Sequence, residues 1–526
     1  MPERVLYHNG VIYTMDRKRP QAQAILTDGD RVAGVGQESD FDAARADRRV
    51  DLGGRAVVPG LTDSHCHFGH WALGLSRVNL DGAQSLDEAR QRIASRLGDG
   101  GGWLLGFGFN KNLWGDGSFP TAADLDACTG DRPAAFTSKD GHSLWVNCAA
   151  LRLAGVTRDT PDPPGGAVLR DGTGAPTGVF CEQAQGLIYQ AIPQPADADF
   201  DLALPPACQA LLSLGVTSIG NCEGAASLRA LQRLRKQDGL KLRVYQLIPR
   251  EQLGEAVAVG LMPGLGDDHL RLGAIKAFAD GALGSQTADM LDDYAGQPGN
   301  RGIAVLDRDA ISALVGTAVT AGFSVALHAI GDRANRHALD AFAEWLPETR
   351  AKGLRHRIEH AQLIHPDDLP RFAQLGVVAS VQPIHATSDR YMADRYWGAR
   401  ARYAYPFRTL LQHGVTLAFG SDAPIESPNP FKGIHAAVTR QREDEPAVAP
   451  WYPEERLSVW EAVYGYTLGA AHAEYSEGNK GSLEPGKLAD FVVLSQDIFA
   501  VPTETIAATR AIATVVGGVV AVGALS

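Results

Sequence analysis

At 526 residues the chain is longer than one ordinary domain, so either one large domain with an addition or two domains is expected. A composition of 45% hydrophobic and 21% charged residues is that of a globular protein, and 58 Gly with 29 Pro indicate many turns rather than disorder. The formal charge of -12 argues against a nucleic-acid groove or an anionic membrane surface as partner, and the partner expected is a small-molecule substrate.

Residues 1–58 read as short strands at 5–8, 11–15, 24–27, 32–35 and 50–52, separated by turns such as Asn9-Gly10. The first sixteen residues hold no long apolar stretch, so neither a signal peptide nor a membrane anchor is expected and the default location is cytoplasmic. Beyond them, apolar runs alternate with amphipathic stretches in the manner of βα units: 56–67, 215–220, 242–248, 270–280, 322–331, 357–362, 376–383 and 416–423. Eight such runs predict a (β/α)8 TIM barrel over 59–479. Residues 68–205 do not fit a simple βα unit and are placed as an insertion after the first strand, on the face where such loops lie over the active site. A G-x-G near 106–108 lacks the rest of a phosphate-binding fingerprint. The stretch 390–405, rich in Arg and Tyr with Trp397, reads either as a mobile lid or as a packed surface loop. Strand-like texture returns at 489–494 and 513–522, so 1–58 and 480–526 are expected to pair into one β-sandwich domain flanking the barrel.

Six cysteines (Cys66, Cys128, Cys148, Cys181, Cys208, Cys222) show no CxxC pair and read as free, mostly buried thiols, with Cys66 set apart by its histidine neighbours. In His65-Cys66-His67 two imidazoles share one side of a strand, because side chains alternate with period two, and both can reach one cation. Alone, the pair is weak evidence. Its position matters more: it closes the first strand, while Lys276 lies on the fourth, His328 ends the fifth, His360 the sixth and Asp422 the eighth, and strand ends converge on one barrel face. Taken singly, each has a structural alternative as a satisfied core histidine, a snorkelling lysine or a helix-capping aspartate. His142 in the insertion, Gln382, His385 and Asp332 are candidates to contact substrate or orient ligands, against structural hydrogen bonding as the alternative.

Read together, Pro59-Gly60-Leu61-Thr62-Asp63-Ser64-His65-Cys66-His67, Asp140-Gly141-His142 with Val146-Asn147, and Lys276 with Asp280-Gly281-Ala282-Leu283-Gly284-Ser285 form a specific set. His328-Ala329-Ile330-Gly331-Asp332, Ile358-Glu359-His360-Ala361-Gln362, Gly420-Ser421-Asp422-Ala423-Pro424 and the run from Gly481 to Asp490 complete it. The set resembles the amidohydrolase superfamily almost end to end, and within it the third amidohydrolase branch with its N-substituted formamide deformylase-like proteins. The resemblance implies that His65 and His67 hold one metal and His328 and His360 a second. A Lys276 carbamylated by carbon dioxide would bridge the two, and Asp422 would bind the first metal and handle protons. Burial lowers a lysine pKa and frees the neutral amine that carbamylation needs. Imidazole and carboxylate ligands suit two zinc ions per chain, with manganese, nickel or iron as alternatives. The implied activity is metal-dependent hydrolysis of an amide, N-acyl or N-formyl carbon–nitrogen bond. Other readings are a mononuclear deaminase-like hydrolase, a non-catalytic binding or regulatory protein, and a lyase or isomerase on the same barrel. A homodimer is the default assembly.

Overall fold

The structure is a computed structural model, and it describes residues 3–41, 46–97, 102–115, 117–138, 143–163 and 166–525. Eight parallel strands pair in chain order: Leu61–Cys66, Val216–Asn221, Arg243–Pro249, Leu270–Phe278, Val325–Ala329, Arg357–His360, Val378–Val381 and Leu417–Phe419. Each falls within or beside one of the eight apolar runs. Between the last strand end and the first, the Asp422 N–H donates to the His65 carbonyl and the His67 N–H to the Ala423 carbonyl, both at 2.8 Å. Helices between the strands are amphipathic where the sequence alternates accordingly: Asp332–Glu344 buries Ala334, Ala338, Leu339 and Phe342 and leaves Arg333, Arg336 and Asp340 half-buried. The architecture is a (β/α)8 barrel with a flanking β-rich domain.

The flanking domain draws strands from both chain ends. One sheet runs in the order Val519–Gly523, Ala511–Val516, Phe491–Leu494, Ala56–Pro59, Val11–Tyr13, Gln21–Ala22, and the other in the order Arg31–Gly36, Ala24–Asp28, Arg4–His8, Arg48–Asp51. Val5, Tyr7, Ile25, Val57, Phe491 and Val515 meet in one apolar core between them, with the Tyr7 and Phe491 rings edge to face at 4.9 Å. The domain is tied to the barrel by a buried ion pair in which Arg243 on the third barrel strand donates two hydrogen bonds to Asp490, at 2.5 and 2.8 Å.

Three expectations change. The run 56–67 is two strands, divided at Gly60: Ala56–Pro59 belongs to the flanking sheet and Leu61–Cys66 to the barrel. The run 513–522 is a hairpin whose turn, Gly517-Gly518, has φ of 55° and 74°, the left-handed backbone that a two-residue hairpin turn requires and glycine supplies. The stretch 390–405 is no loop; it forms the helix Arg390–Trp397 and the 3-10 turn Gly398–Tyr403, with Trp397 and Tyr405 fully buried.

Ala72–Ala203 forms a second compact unit. Its six-stranded sheet runs Gly166–Arg170, Pro176–Glu182, Ser143–Val146, Ala134–Ser138, Leu104–Phe109, Val78–Asn79. Alternate residues serve two cores: Phe136, Trp145 and Val179 pack on one face, Ala135, Leu144, Val146 and Phe180 on the other. His142 lies outside the described residues. Among the described residues no helix is long and apolar enough to cross a membrane.

Candidate metal centre

At the carboxyl ends of the barrel strands, donor atoms of His65, His360 and Asp422 lie within 4.8 Å of one another, all buried. His65 and His67 stand on the same side of the first strand, as alternation requires, and their Nε2 atoms each lie 3.4 Å from Asp422 Oδ1. That spacing is long for a charged hydrogen bond, which prefers roughly 2.7–2.9 Å. It is close to the separation of about 3.3 Å between two ligand atoms each about 2.0 Å from a tetrahedral ion. The His360 ring stands 5.0 Å from that of His65 and 4.5 Å from that of His328.

Each of three imidazoles spends one nitrogen on an oxygen acceptor and keeps the other for the chamber. His65 Nδ1 donates to Glu359 Oε2 at 2.5 Å, His360 Nδ1 to Gln382 Oε1 at 2.8 Å and His328 Nε2 to the Gly281 carbonyl at 3.0 Å. Such contacts fix the tautomer and ring orientation of metal-binding histidines. His328 Nδ1 and Lys276 Nζ are buried with no hydrogen-bond partner among the described residues, although buried polar atoms are nearly always paired. A cation with an oxygen bridge would satisfy both, so the residues present fit a divalent metal centre.

Electrostatics favour the same occupant. Burial lowers the Lys276 pKa, although the negative groups around it oppose the shift. Burial and then the neighbouring lysine push His328 down to about 3, and burial with His328 beside it takes His360 well below the usual imidazole value, so both offer neutral lone pairs. For Asp422, burial alone would raise the pKa, but His65 and His67 beside it hold it far below the ordinary carboxylate range. Glu359 is also held ionised: burial is outweighed by Arg357, whose Nε lies 2.5 Å from Glu359 Oε1, and by His65. His65, opposed by burial, is nevertheless raised well above its ordinary value by Cys222, Glu359 and Asp422.

Two of the sequence-derived residues lie away from the metal-facing set or play a different part from a ligand. Asp332 accepts the Leu291 N–H at 2.8 Å at the start of its helix and does not join the imidazole group. Gln382 orients His360, as described. His385 does reach the chamber, with its ring parallel to that of His360 at 6.0 Å and Nε2 3.9 Å from Asp422 Oδ2.

Several contributors carry no role in the sequence reading. Arg357 and Glu359, charged at i and i+2 in a buried strand, must face one interior side and pair, a signal the sequence contains. Asp63 accepts the Ser421 N–H at 2.9 Å and its hydroxyl at 2.5 Å, joining the first strand to the eighth; its pKa is raised to about 6 by burial despite those bonds. Asp280, raised to about 7 by burial, gathers the N–H groups of Asp289, Ile330 and Gly331 behind His328. A second donor group comprises His67, His70 and Glu223, but Glu223 accepts the N–H groups of Gly69 and His70 at 2.8 Å and lies 2.5 Å from His70 Nδ1, the geometry of a hydrogen-bonded helix cap. All six cysteines are free.

The chain matches the amidohydrolase family over residues 48–522. It is 33% identical to Protein LONG AFTER FAR-RED 3 of Arabidopsis thaliana, over 98% of this chain and 91% of the relative. It is 29% identical to N-substituted formamide deformylase of Arthrobacter pascens, over 97% of each. Among solved structures, an uncharacterized metal-dependent hydrolase from Pyrococcus furiosus superposes with a TM-score of 0.79 at 31% identity, covering 94% of this chain and all of that one.

Proposed function

We propose, for a chain that belongs to the amidohydrolase family, that this metal-dependent hydrolase cleaves a carbon–nitrogen bond of a small N-formyl or N-acyl amide. The observation that carries the reading is the 3.4 Å spacing of His65 and His67 from one Asp422 oxygen, beside two further imidazoles and a buried lysine with no hydrogen-bond partner among the described residues. His65, His67 and Asp422 would hold one divalent ion, His328 and His360 a second, and a carbamylated Lys276 would link them, zinc being the metal that these ligands suit best. When bound, such ions make hydroxide available near neutrality and polarise a carbonyl.

The chain's own groups supply the rest. Asp422, held ionised, takes the proton released by the attacking water and passes it to the leaving nitrogen, which is a poor leaving group until protonated. Water oxygen thus becomes bonded to the carbonyl carbon as the carbon–nitrogen bond breaks. His385, beside the far oxygen of Asp422, is placed to hold the substrate. The name of the Arthrobacter relative puts N-substituted formamides at the head of the substrates to try.

A mononuclear site in which Lys276 is structural is less well supported, because a structural amine at 2% exposure should have a hydrogen-bond partner and Lys276 has none among the described residues, only the face of the Phe278 ring at 4.1 Å. The test joins metal analysis of the purified protein to a hydrolysis screen of N-formyl, N-acyl and cyclic amides. Two metals per chain and turnover of a panel member are expected, with Asp422→Asn lowering turnover by about 10²–10⁴-fold while keeping the fold. Turnover unchanged in that variant refutes the proton role. One metal per chain, with activity surviving Lys276→Ala, favours the mononuclear site.

A further inference from the structure

We propose that Phe278 determines acyl specificity: its open ring, at the mouth of the barrel, takes up the acyl group of the substrate and favours an apolar acyl chain. The inference rests on the amide hydrolysis proposed above and names the half of the substrate which that reading leaves open.

Phe278 ends the fourth barrel strand, Leu270–Phe278, two residues beyond Lys276. By alternation it faces the same interior side as the lysine, one layer nearer the carboxyl-end mouth, where a substrate lies over its ligands. The neighbouring strand agrees: Phe278 is in register with His328, and the two rings stand 5.1 Å apart. Lys276 Nζ lies 4.1 Å from the ring centre. The side chain is thus held by the lysine and the imidazole, and the rest of the ring is uncovered. Phe278 is 43% exposed, the one exposed residue among the described residues of the eight barrel strands. A lone exposed apolar residue on an outer surface is ordinary. This one stands on the inner wall, beside a buried histidine and a buried lysine, where a residue needed only for packing would be covered.

The closure of the barrel decides which half of the substrate meets the ring. The eighth strand end is bonded to the first, so the fourth strand lies across the barrel from the eighth. Asp422, just past the eighth strand, has to stand beside the leaving nitrogen to protonate it. In an amide the nitrogen and the acyl substituent leave the carbonyl carbon on opposite sides, so a substrate with its nitrogen at Asp422 sends its acyl group towards the fourth strand. The rings of His65, His360, His328 and Phe278, successively 5.0, 4.5 and 5.1 Å apart, mark that crossing. An apolar chain laid on the ring removes both from water, whereas a formyl hydrogen leaves the ring wet.

The test uses the purified full-length protein in its metal-bound form and the N-formyl, N-acetyl, N-butyryl and N-hexanoyl derivatives of p-nitroaniline, which share one leaving amine. In the wild type, kcat/KM should rise from acetyl to butyryl by about two- to fourfold per added methylene, carried mainly by KM. Phe278→Ala should lower the butyryl-to-acetyl ratio about fivefold, and Phe278→Leu should restore most of it. A general loosening of the site would instead lower every member alike. Binding of the carboxylate products to the wild type, from acetate to hexanoate, should tighten in the same order by calorimetry, a measurement that needs no variant to fold. Turnover of the formyl member alone, an acetyl preference in the wild type, product binding that does not tighten with chain length or a ratio unchanged in Phe278→Ala overturns the acyl assignment and leaves amide hydrolysis standing. Hydrolysis of no member with metal bound overturns the amide reading and this inference together.

Discussion

Glu359 has both oxygens committed, one to His65 Nδ1 and the other beside Arg357 Nε, each at 2.5 Å, and all three side chains are at most 1% exposed. A carboxylate held this way fixes the imidazole with its Nε2 lone pair towards the chamber and strengthens it as a donor. Glu359→Gln should lower metal affinity by about 10–100-fold, measured by competition with a chromogenic chelator; affinity within a factor of two of wild type would show that the contact is dispensable. His65 and His67 could be found in the sequence as a pair because the H-x-H spacing obeys strand alternation. Glu359 and His360 do not obey it. They are adjacent yet both serve the chamber, and the chain allows this by turning His360 to φ 71° and Ala361 to φ 42°, a left-handed bend that nothing in Ile358-Glu359-His360 announces. Asp422, at φ 58°, is turned in the same way.

The first barrel strand shows at the level of the element how an apolar run can mislead. Residues 56–67 are almost continuously buried, so hydrophobic pattern alone reads one strand, but the two halves belong to different sheets. Gly60 marks the division because a Cβ there would lie 2.3 Å from Thr217 Oγ1, 2.8 Å from its Cγ2 and 3.0 Å from Asp490 Cβ, while its N–H donates to the Asp490 carbonyl. Gly60→Ala should therefore destabilise the protein by about 1–3 kcal/mol, seen as a lower urea midpoint, and an unchanged midpoint would mean that the junction has slack. The hairpin at Gly517-Gly518 is the opposite case. The glycine pair is a turn signal in plain view, and its neighbours Val515 and Val516 are as apolar as a continuous strand would be, so the pattern and the turn chemistry pointed in different directions and the turn prevailed.

Across the whole molecule, stability should carry a pH dependence separable from the metal centre. His356 is buried between the fifth and sixth barrel strands, stacked on Phe342 with ring centroids 4.5 Å apart; its Nδ1 accepts the Val325 N–H and its Nε2 meets the Thr349 hydroxyl. Burial pulls its pKa down to about 4. An imidazole depressed on folding contributes stability that is complete above its unfolded value of about 6.5 and is lost as pH falls to the folded value. The stability margin of wild type over His356→Gln should accordingly shrink by about 3 kcal/mol between about pH 6.5 and pH 4, followed by urea unfolding at a series of pH values. A margin constant across that range would contradict the assignment.

From the sequence by itself came the barrel count, the β-rich ends and the strand-end positions of His65, His67, Lys276, His328, His360 and Asp422, because burial and alternation leave periodic traces in a chain. Tertiary structure alone decided which residues support them. The bond from His65 to Glu359 spans 294 residues and that from Ser421 to Asp63 spans 358. Local patterns record which way a side chain faces; its partners depend on which distant strands the closing barrel brings alongside.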